Sequence, residues 1–218
     1  MCPKEIRLSN RAPGSLRSAR PARWCGALCA IAVLSASCSA STPKPIAAVK
    51  SAPVTVQSVI APPDVELEIA CTPTGPETCF DALDNNCNGA IDEGCGVHTG
   101  VIQFAVAWPD ASADVDLSVT DPKGEIARIN DVTQLGLAKD RNCPSDPESC
   151  QGQNTENVYL VEGDVPRGTY RVAVKLNRLG NSPPPLRVRF SARVGQRTWS
   201  ALLEFRVARE QKVLTFVL

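Results

Sequence analysis

LRVRFSARV, residues Leu186–Val194, carries the pattern on which the fold class turns. Leu186, Val188, Phe190, Ala192 and Val194 recur at every second position, with Arg187, Arg189 and Arg193 between them. Successive side chains of an extended chain point to opposite sides, so this is a strand with one apolar face; a helix would scatter the same residues around its axis. Gly195-Gln196 follows as a two-residue hairpin signal, and Arg197–Val207 and Gln211–Leu218 continue the period.

The same alternation extends toward the N-terminus. Thr169–Leu176 places Tyr170, Val172, Val174 and Leu176 inward, after a Pro166-Arg167-Gly168 turn. Asn157–Glu162 reads as a strand. Val115–Thr120 aligns Val115, Leu117 and Val119; Val101–Trp108 aligns Ile102, Phe104, Val106 and Trp108. Asp121-Pro122-Lys123-Gly124 is a turn, with Glu125–Asn130 expected as its hairpin partner. Residues 131–156 and 177–185 read as loops. With no helical period anywhere in this stretch, about eight strands in ~120 residues predict an all-β fold, an antiparallel β-sandwich. The arginine row suits either a solvated outer face or a polyanionic or glycan partner.

The 218 residues carry no net charge, but the balance is uneven along the chain. Residues 1–37 hold Lys4, Arg7, Arg11, Arg17, Arg20 and Arg23 against Glu5. Residues 61–100 hold eight acidic residues and no basic one. Nothing resembles a basic patch able to neutralise phosphates, so no nucleic-acid partner is expected.

The basic N-terminus runs into an apolar stretch, Trp24–Leu34 (WCGALCAIAVL), too short to cross ~30 Å of hydrocarbon as a helix. Basic flank, short apolar core and small residues beyond it predict a signal peptide over 1–37. Leu34-Ser35-Ala36-Ser37-Cys38 resembles a bacterial lipobox, with Leu one position early; the resemblance implies lipidation of Cys38 and a membrane anchor. The alternative is cleavage near Ala40 and a freely secreted protein. Residues 38–64, rich in Pro, Ala, Ser and Val, read as a flexible, disordered tether, the alternative being a first strand within Val54–Ile60.

Of ten cysteines, Cys71, Cys79, Cys87, Cys95, Cys143 and Cys150 lie beyond the leader. Six can form three disulfides, with roughly 15 conceivable pairings, and disulfides persist in oxidising compartments. Cys143 and Cys150 are close enough in sequence for a local bridge. The other four, eight positions apart, frame CTPTGPETCFDALDNNCNGAIDEGC (Cys71–Cys95) within a Cys-rich module at 65–97, ahead of a sandwich domain at 98–218. A segment this short cannot build its own core and needs disulfides or an ion to hold it.

Oxygen-bearing side chains alternate within that segment. Asp84, Asn86 and Asn88 occupy positions 1, 3 and 5 of a calcium-type loop, Gly89 the turn position, Ala90 a carbonyl position and Asp92 position 9; Ile91 can tuck the loop against its surroundings. The final carboxylate position is Cys95, which leaves Glu93, Asp81 or water to complete the shell. Calcium is therefore the expected ion; a zinc or copper site would want thiolates or imidazoles, and His98 is the only histidine. A disulfide-knotted spacer without an ion is the alternative.

Cys79, Asp84, Asn85, Cys87, Gly89, Asp92, Glu93, Gly94 and Cys95 resemble the metal-binding motif of MopE-type bacterial surface proteins, and the loop is similar to thrombospondin type 3 calcium repeats. Asn86 and Asn88 stand where acids are usual. In the sandwich, Asp114-Val115-Asp116-Leu117, then Asp121-Pro122-Lys123-Gly124-Glu125, Thr155-Glu156-Asn157 and Gly168-Thr169-Tyr170-Arg171-Val172 resemble YfaP-type exported proteins and bacterial pre-peptidase C-terminal domains. That resemblance implies an accessory module. Asp114 and Asp116 share a strand face, and Asp140 and Glu156 can approach from the loops. A second calcium site resembling those of accessory sandwiches is one reading of these four; carboxylates fixing loop ends is the other.

No G-x-S-x-G, H-E-x-x-H or phosphate-binding loop occurs, and Asp114 and Asp116, ~7 Å apart at Cα, imply no groove. The expectation is a non-catalytic envelope lipoprotein. It is either a calcium-stabilised binding, adhesion or accessory module with an envelope protein or glycan ligand, or a purely structural lipoprotein without metal. A hydrolase accessory domain ranks third.

Overall fold

A computed structural model describes residues 54–69, 71–160 and 163–218. The expected signal peptide, Cys38 and most of the tether lie outside these residues. The strands are β1 (Ser58–Ile60), β2 (Ile102–Ala107), β3 (Asp114–Thr120), β4 (Leu137–Asn142), β5 (Thr155–Leu160), β6 (Thr169–Arg178), β7 (Leu186–Val194), β8 (Arg197–Phe205) and β9 (Gln211–Val217). A single turn of helix, α1 (Pro147–Cys150), precedes β5. Two antiparallel sheets, ordered β1-β9-β6-β3 and β4-β5-β2-β7-β8, make the sandwich.

The alternation read from the sequence becomes the core. Val188, Phe190 and Ala192 of β7, Phe104 and Val106 of β2, Val115 and Leu117 of β3 and Val172 and Val174 of β6 are all buried in one cluster. Phe216 joins the sheets, its ring 5.3 Å from Phe104 and edge-on to Trp199 at 5.7 Å. Each such side chain stabilises the fold by about 1.5–3 kcal/mol relative to exposure. β7 and β8 pair from Leu186↔Phe205 to Val194↔Arg197 around the expected hairpin, where Gly195 adopts a φ of 63°.

Three expectations change. The tether ends sooner than residue 64: Ser58–Ile60 pairs with Val217–Thr215 of β9, and the strap leading from it drops Val65 into the core. Lys212, buried, reaches out to Asp64 on this strap. Glu125–Asn130 does not form a hairpin strand; it makes only isolated bridges, such as Thr120↔Ile126, and β3 pairs instead with β6. The stretch 131–156 is not one loop, because it contains β4 and α1. LAKDRN hid its period because Lys139 turns inward to pair with Glu156, and a bulge between Lys139 and Arg141 then sends Arg141 to the other face, beneath the Cys-rich segment.

The five-stranded sheet is covered on both sides. Ile102, Phe104 and Val106 of β2 face the other sheet, while Gln103, Ala105 and Ala107 are also buried, beneath the Cys-rich segment. Ala105 and Ala107 leave room for Ala82 and Ile91, and the four form a second apolar cluster. Gln103 Nε2 donates to the Ile91 carbonyl (3.0 Å), and Ser191 Oγ donates to that of Ala82 (2.5 Å). Arg141 donates to the Gly96 carbonyl at 2.6 Å, with its guanidinium 5.6 Å from the Phe80 ring centre. The sandwich thus supplies the core that the segment cannot make for itself.

Candidate metal centre

Two interlaced disulfides, Cys71–Cys87 and Cys79–Cys95, clamp the segment, and Cys143–Cys150 closes the local loop before β5. Between the clamps the backbone is forced into unusual shapes. Phe80, Ala82, Cys87 and Asp92 all adopt left-handed φ values of 53–64°. Such residues each cost on the order of 1–3 kcal/mol and persist only where covalent and polar contacts over-determine them.

Asp84, Asn86 and Asn88 curl the chain as their spacing predicts. Asp84 Oδ1 accepts the Asn88 N–H at 3.0 Å and its Oδ2 accepts that of Gly89 at 2.8 Å. Asn86 Oδ1 accepts the Asn88 N–H at 2.9 Å, and Asn88 Oδ1 that of Ala90 at 2.8 Å. Gly89 turns the chain at a φ of 90°. Glu93 closes the curl from the far side: its Oε1 accepts from the side-chain amides of both Asn86 and Asn88, each at 2.5 Å. Its other oxygen, Oε2, is buried and has no hydrogen-bond partner.

Asp92 is placed differently from the expected ligand role. It is 1% exposed, and its two oxygens accept the N–H groups of Asp81 (3.2 Å) and Ala82 (3.1 Å), fixing the strained turn rather than facing the curl. Burial pushes its carboxyl up to about 6. Glu77, which sequence reasoning missed, holds the curl from outside: its oxygens accept the N–H of Asn85 at 3.1 Å and of Asp92 at 2.9 Å. Burial, followed by the negative charge of Glu93, raises its pKa. The signal for it was present, an isolated acid among turn residues in Pro76-Glu77-Thr78-Cys79.

The donor set is oxygen only, with every cysteine of the segment in a disulfide. An orphaned buried carboxylate oxygen, on a Glu93 side chain whose charge is felt at Glu77, fits a hard cation better than a soft one. Asp84, Asn86, Asn88 and Glu93 are the side chains that would hold it. Among the described residues no group of three or more His, Cys, Asp or Glu side chains is gathered tightly enough to bind a metal, so the asparagine oxygens, backbone carbonyls and water would have to supply the rest.

The second set, Asp114, Asp116, Asp140 and Glu156, is not brought together. Asp140 faces outward, accepting from the His98 N–H (2.9 Å) and Asn157 Nδ2 (2.8 Å), beside a His98 ring stacked on Tyr159. Glu156 points the opposite way, between the sheets, against Lys139 at 2.8 Å. Asp116 accepts from Asn177 Nδ2 at 2.6 Å. Neighbouring residues on a strand face opposite sides, which separates Asp140 from the rest, and the Lys139 ammonium already supplies the positive charge beside Glu156. The arginine row is partly engaged within the chain: Arg189 lies 3.6 Å from Asp81 of the Cys-rich segment and Arg187 lies 3.3 Å from Glu204.

Comparison with family models, curated proteins and solved structures found no match for this chain.

Proposed function

We propose that the protein is an exported lipoprotein of the bacterial envelope, anchored through Cys38, whose disulfide-clamped loop binds Ca²⁺ and thereby stiffens a non-catalytic binding or accessory module. The observation that carries this reading is the convergence on Glu93. Its carboxylate reaches across the curl to Asn86 and Asn88 and keeps one buried oxygen without a partner, a free acceptor that a cation in the curl would satisfy. The three disulfides accord with an oxidising compartment. An envelope protein or glycan is the proposed ligand of the exposed face.

A second reading, a structural lipoprotein without metal, draws on the same contacts. The two amides on Glu93 Oε1 close the loop without an ion.

Calorimetric titration of the exported protein with Ca²⁺ separates the two. The calcium reading expects saturable heat that Glu93→Ala removes. It also expects a gain of ~2.7 kcal/mol in stability when the ion is at a hundred times its dissociation constant. No heat, together with a melting temperature indifferent to chelator, leaves the structural reading.

A further inference from the structure

Asn88 is exposed, and the residue that follows it has no side chain. Three contacts converge on this one peptide unit. The Gly89 N–H donates to Asp84 Oδ2 at 2.8 Å; Asn88 Oδ1 accepts from the Ala90 N–H at 2.8 Å; Asn88 Nδ2 lies 2.5 Å from Glu93 Oε1. These place a base on a potential nucleophilic nitrogen, a donor on the oxygen that would gain charge, and a proton carrier beside a potential leaving group. A Cβ built on Gly89 would meet no atom within 4 Å, so that side of the residue is uncrowded.

We propose that Asn88 is a self-processing site at which the loop converts the side-chain amide to a carboxylate through a cyclic imide, and that a cation bound in the loop suppresses the conversion. The Gly89 nitrogen attacks Asn88 Cγ while Asp84 takes its proton. The N–Cγ bond forms, and the negative charge on Oδ1 is held by the Ala90 N–H. Collapse breaks the Cγ–Nδ2 bond; Asp84 gives up its proton to solvent, the leaving nitrogen gains one from solvent through its Glu93 contact, and ammonia departs. One water then opens the imide, giving aspartate if it attacks Cγ and isoaspartate if it attacks the main-chain carbonyl carbon. No electron is gained or lost.

Asn86 shares the Glu93 contact, but its following residue is Cys87, whose side chain is tied into a disulfide. Suppression by a cation rests on the calcium reading, since an ion in the curl would draw on Asp84 and Glu93 and remove both base and proton carrier. The aspartate product adds a carboxylate beside Asp84 and Glu93, and an extra negative ligand strengthens the hold on a hard cation.

The test is peptide mass spectrometry of the purified exported protein, aged at mildly alkaline pH in chelator or in saturating Ca²⁺, with fragmentation to separate Asn85, Asn86 and Asn88. The expected result is a gain of one mass unit at Asn88 in chelator, slowed on the order of tenfold or more by Asp84→Asn, as befits removal of a general base. Asn88→Gln, which keeps the amide while lengthening the ring, checks that the change needs this side chain. Absence of conversion in chelator, or equal conversion at Asn86, overturns the self-processing site whatever calcium does. Conversion in chelator and calcium alike overturns the suppression. If calorimetry in that case shows heat, the calcium reading stands without it; if there is none, the calcium reading fails while the modification at Asn88 remains.

Discussion

Lys139 Nζ and Glu156 Oε2 meet at 2.8 Å between the two sheets and together grip the backbone of Leu117. Glu156 accepts the Leu117 N–H at 2.6 Å, and Lys139 donates to the Leu117 carbonyl at 3.0 Å. β3 is an edge strand, so these groups have no neighbouring strand on that side. The Lys139–Glu156 pair from one sheet therefore satisfies the free edge of the other, a place where unpaired backbone would invite association with another chain.

Burial raises the Glu156 carboxyl to about 8, against the lowering effect of Lys139. A carboxyl whose folded pKa lies above its unfolded value stabilises fully below the unfolded pKa, and that stabilisation is lost as pH rises through the folded one. The fold should therefore lose stability between pH 4.5 and about 8 through this group. Melting curves in chelator should show the wild type falling relative to Glu156→Gln as pH climbs across that window. Parallel curves would remove Glu156 as the cause.

Ile91 is fully buried between the Cys-rich segment and the outer face of β2. Ile91→Ala should cost about 2–4 kcal/mol, typical of truncating a buried aliphatic side chain. Because the segment has no other core, the loss should appear first as protease cleavage within residues 72–94, with the sandwich still intact. Simultaneous digestion of both parts would contradict the dependence.

Tyr170 begins β6 with its ring in the core, and its hydroxyl donates to the Pro166 carbonyl at 2.8 Å. This tyrosine corner ties the loop to the strand it feeds. Tyr170→Phe leaves the carbonyl without its donor and should lower stability by about 1–2 kcal/mol in denaturant titration with the slope unchanged. An unchanged midpoint would mean that water replaces the bond.

Gly180 has a φ of 78°, and a Cβ there would stand 2.6 Å from the Ala113 nitrogen and 2.8 Å from Asp110 Oδ2. Asp110 pins this crossing by accepting from the N–H groups of Ser112, Asn181 and Ser182; the Ser112 hydroxyl first, then the Ser112 N–H and the contacts of Ser182, hold its carboxyl well below the usual range. Gly180→Ala should cost roughly 1–3 kcal/mol through strain and displacement of that carboxylate. Asp110→Asn should cost less, since it keeps an oxygen acceptor. The reverse order in thermal melts would refute the steric argument.

Much of this architecture was legible in the chain. The alternation at Leu186–Val194 and Thr169–Leu176 showed which side chains would face the core, because period two has one physical reading in an extended chain. The spacing of Asp84, Asn86, Asn88 and Gly89 likewise sets the curl, since short polar side chains bond to N–H groups a few residues ahead. What stayed hidden were residues whose polarity misrepresents their location. Lys139 carries an ammonium group into the space between the sheets, so β4 looked like loop. Ser58–Ile60 is too short to show a period, and its strand state comes from β9.

The sequence by itself determined most of the sandwich strands, though not β1 or β4, together with the cysteine spacing and the oxygen-rich loop, because these follow from local chemistry and from periods of a few residues. Only the tertiary structure decided that Asp92 braces the turn while Glu93 reaches across the curl, that Cys71 pairs with Cys87, and that β2 is buried on both faces beneath Ile91. Those outcomes depend on which surfaces meet across long stretches of chain, and no local pattern encodes the partner of a side chain that lies dozens of residues away.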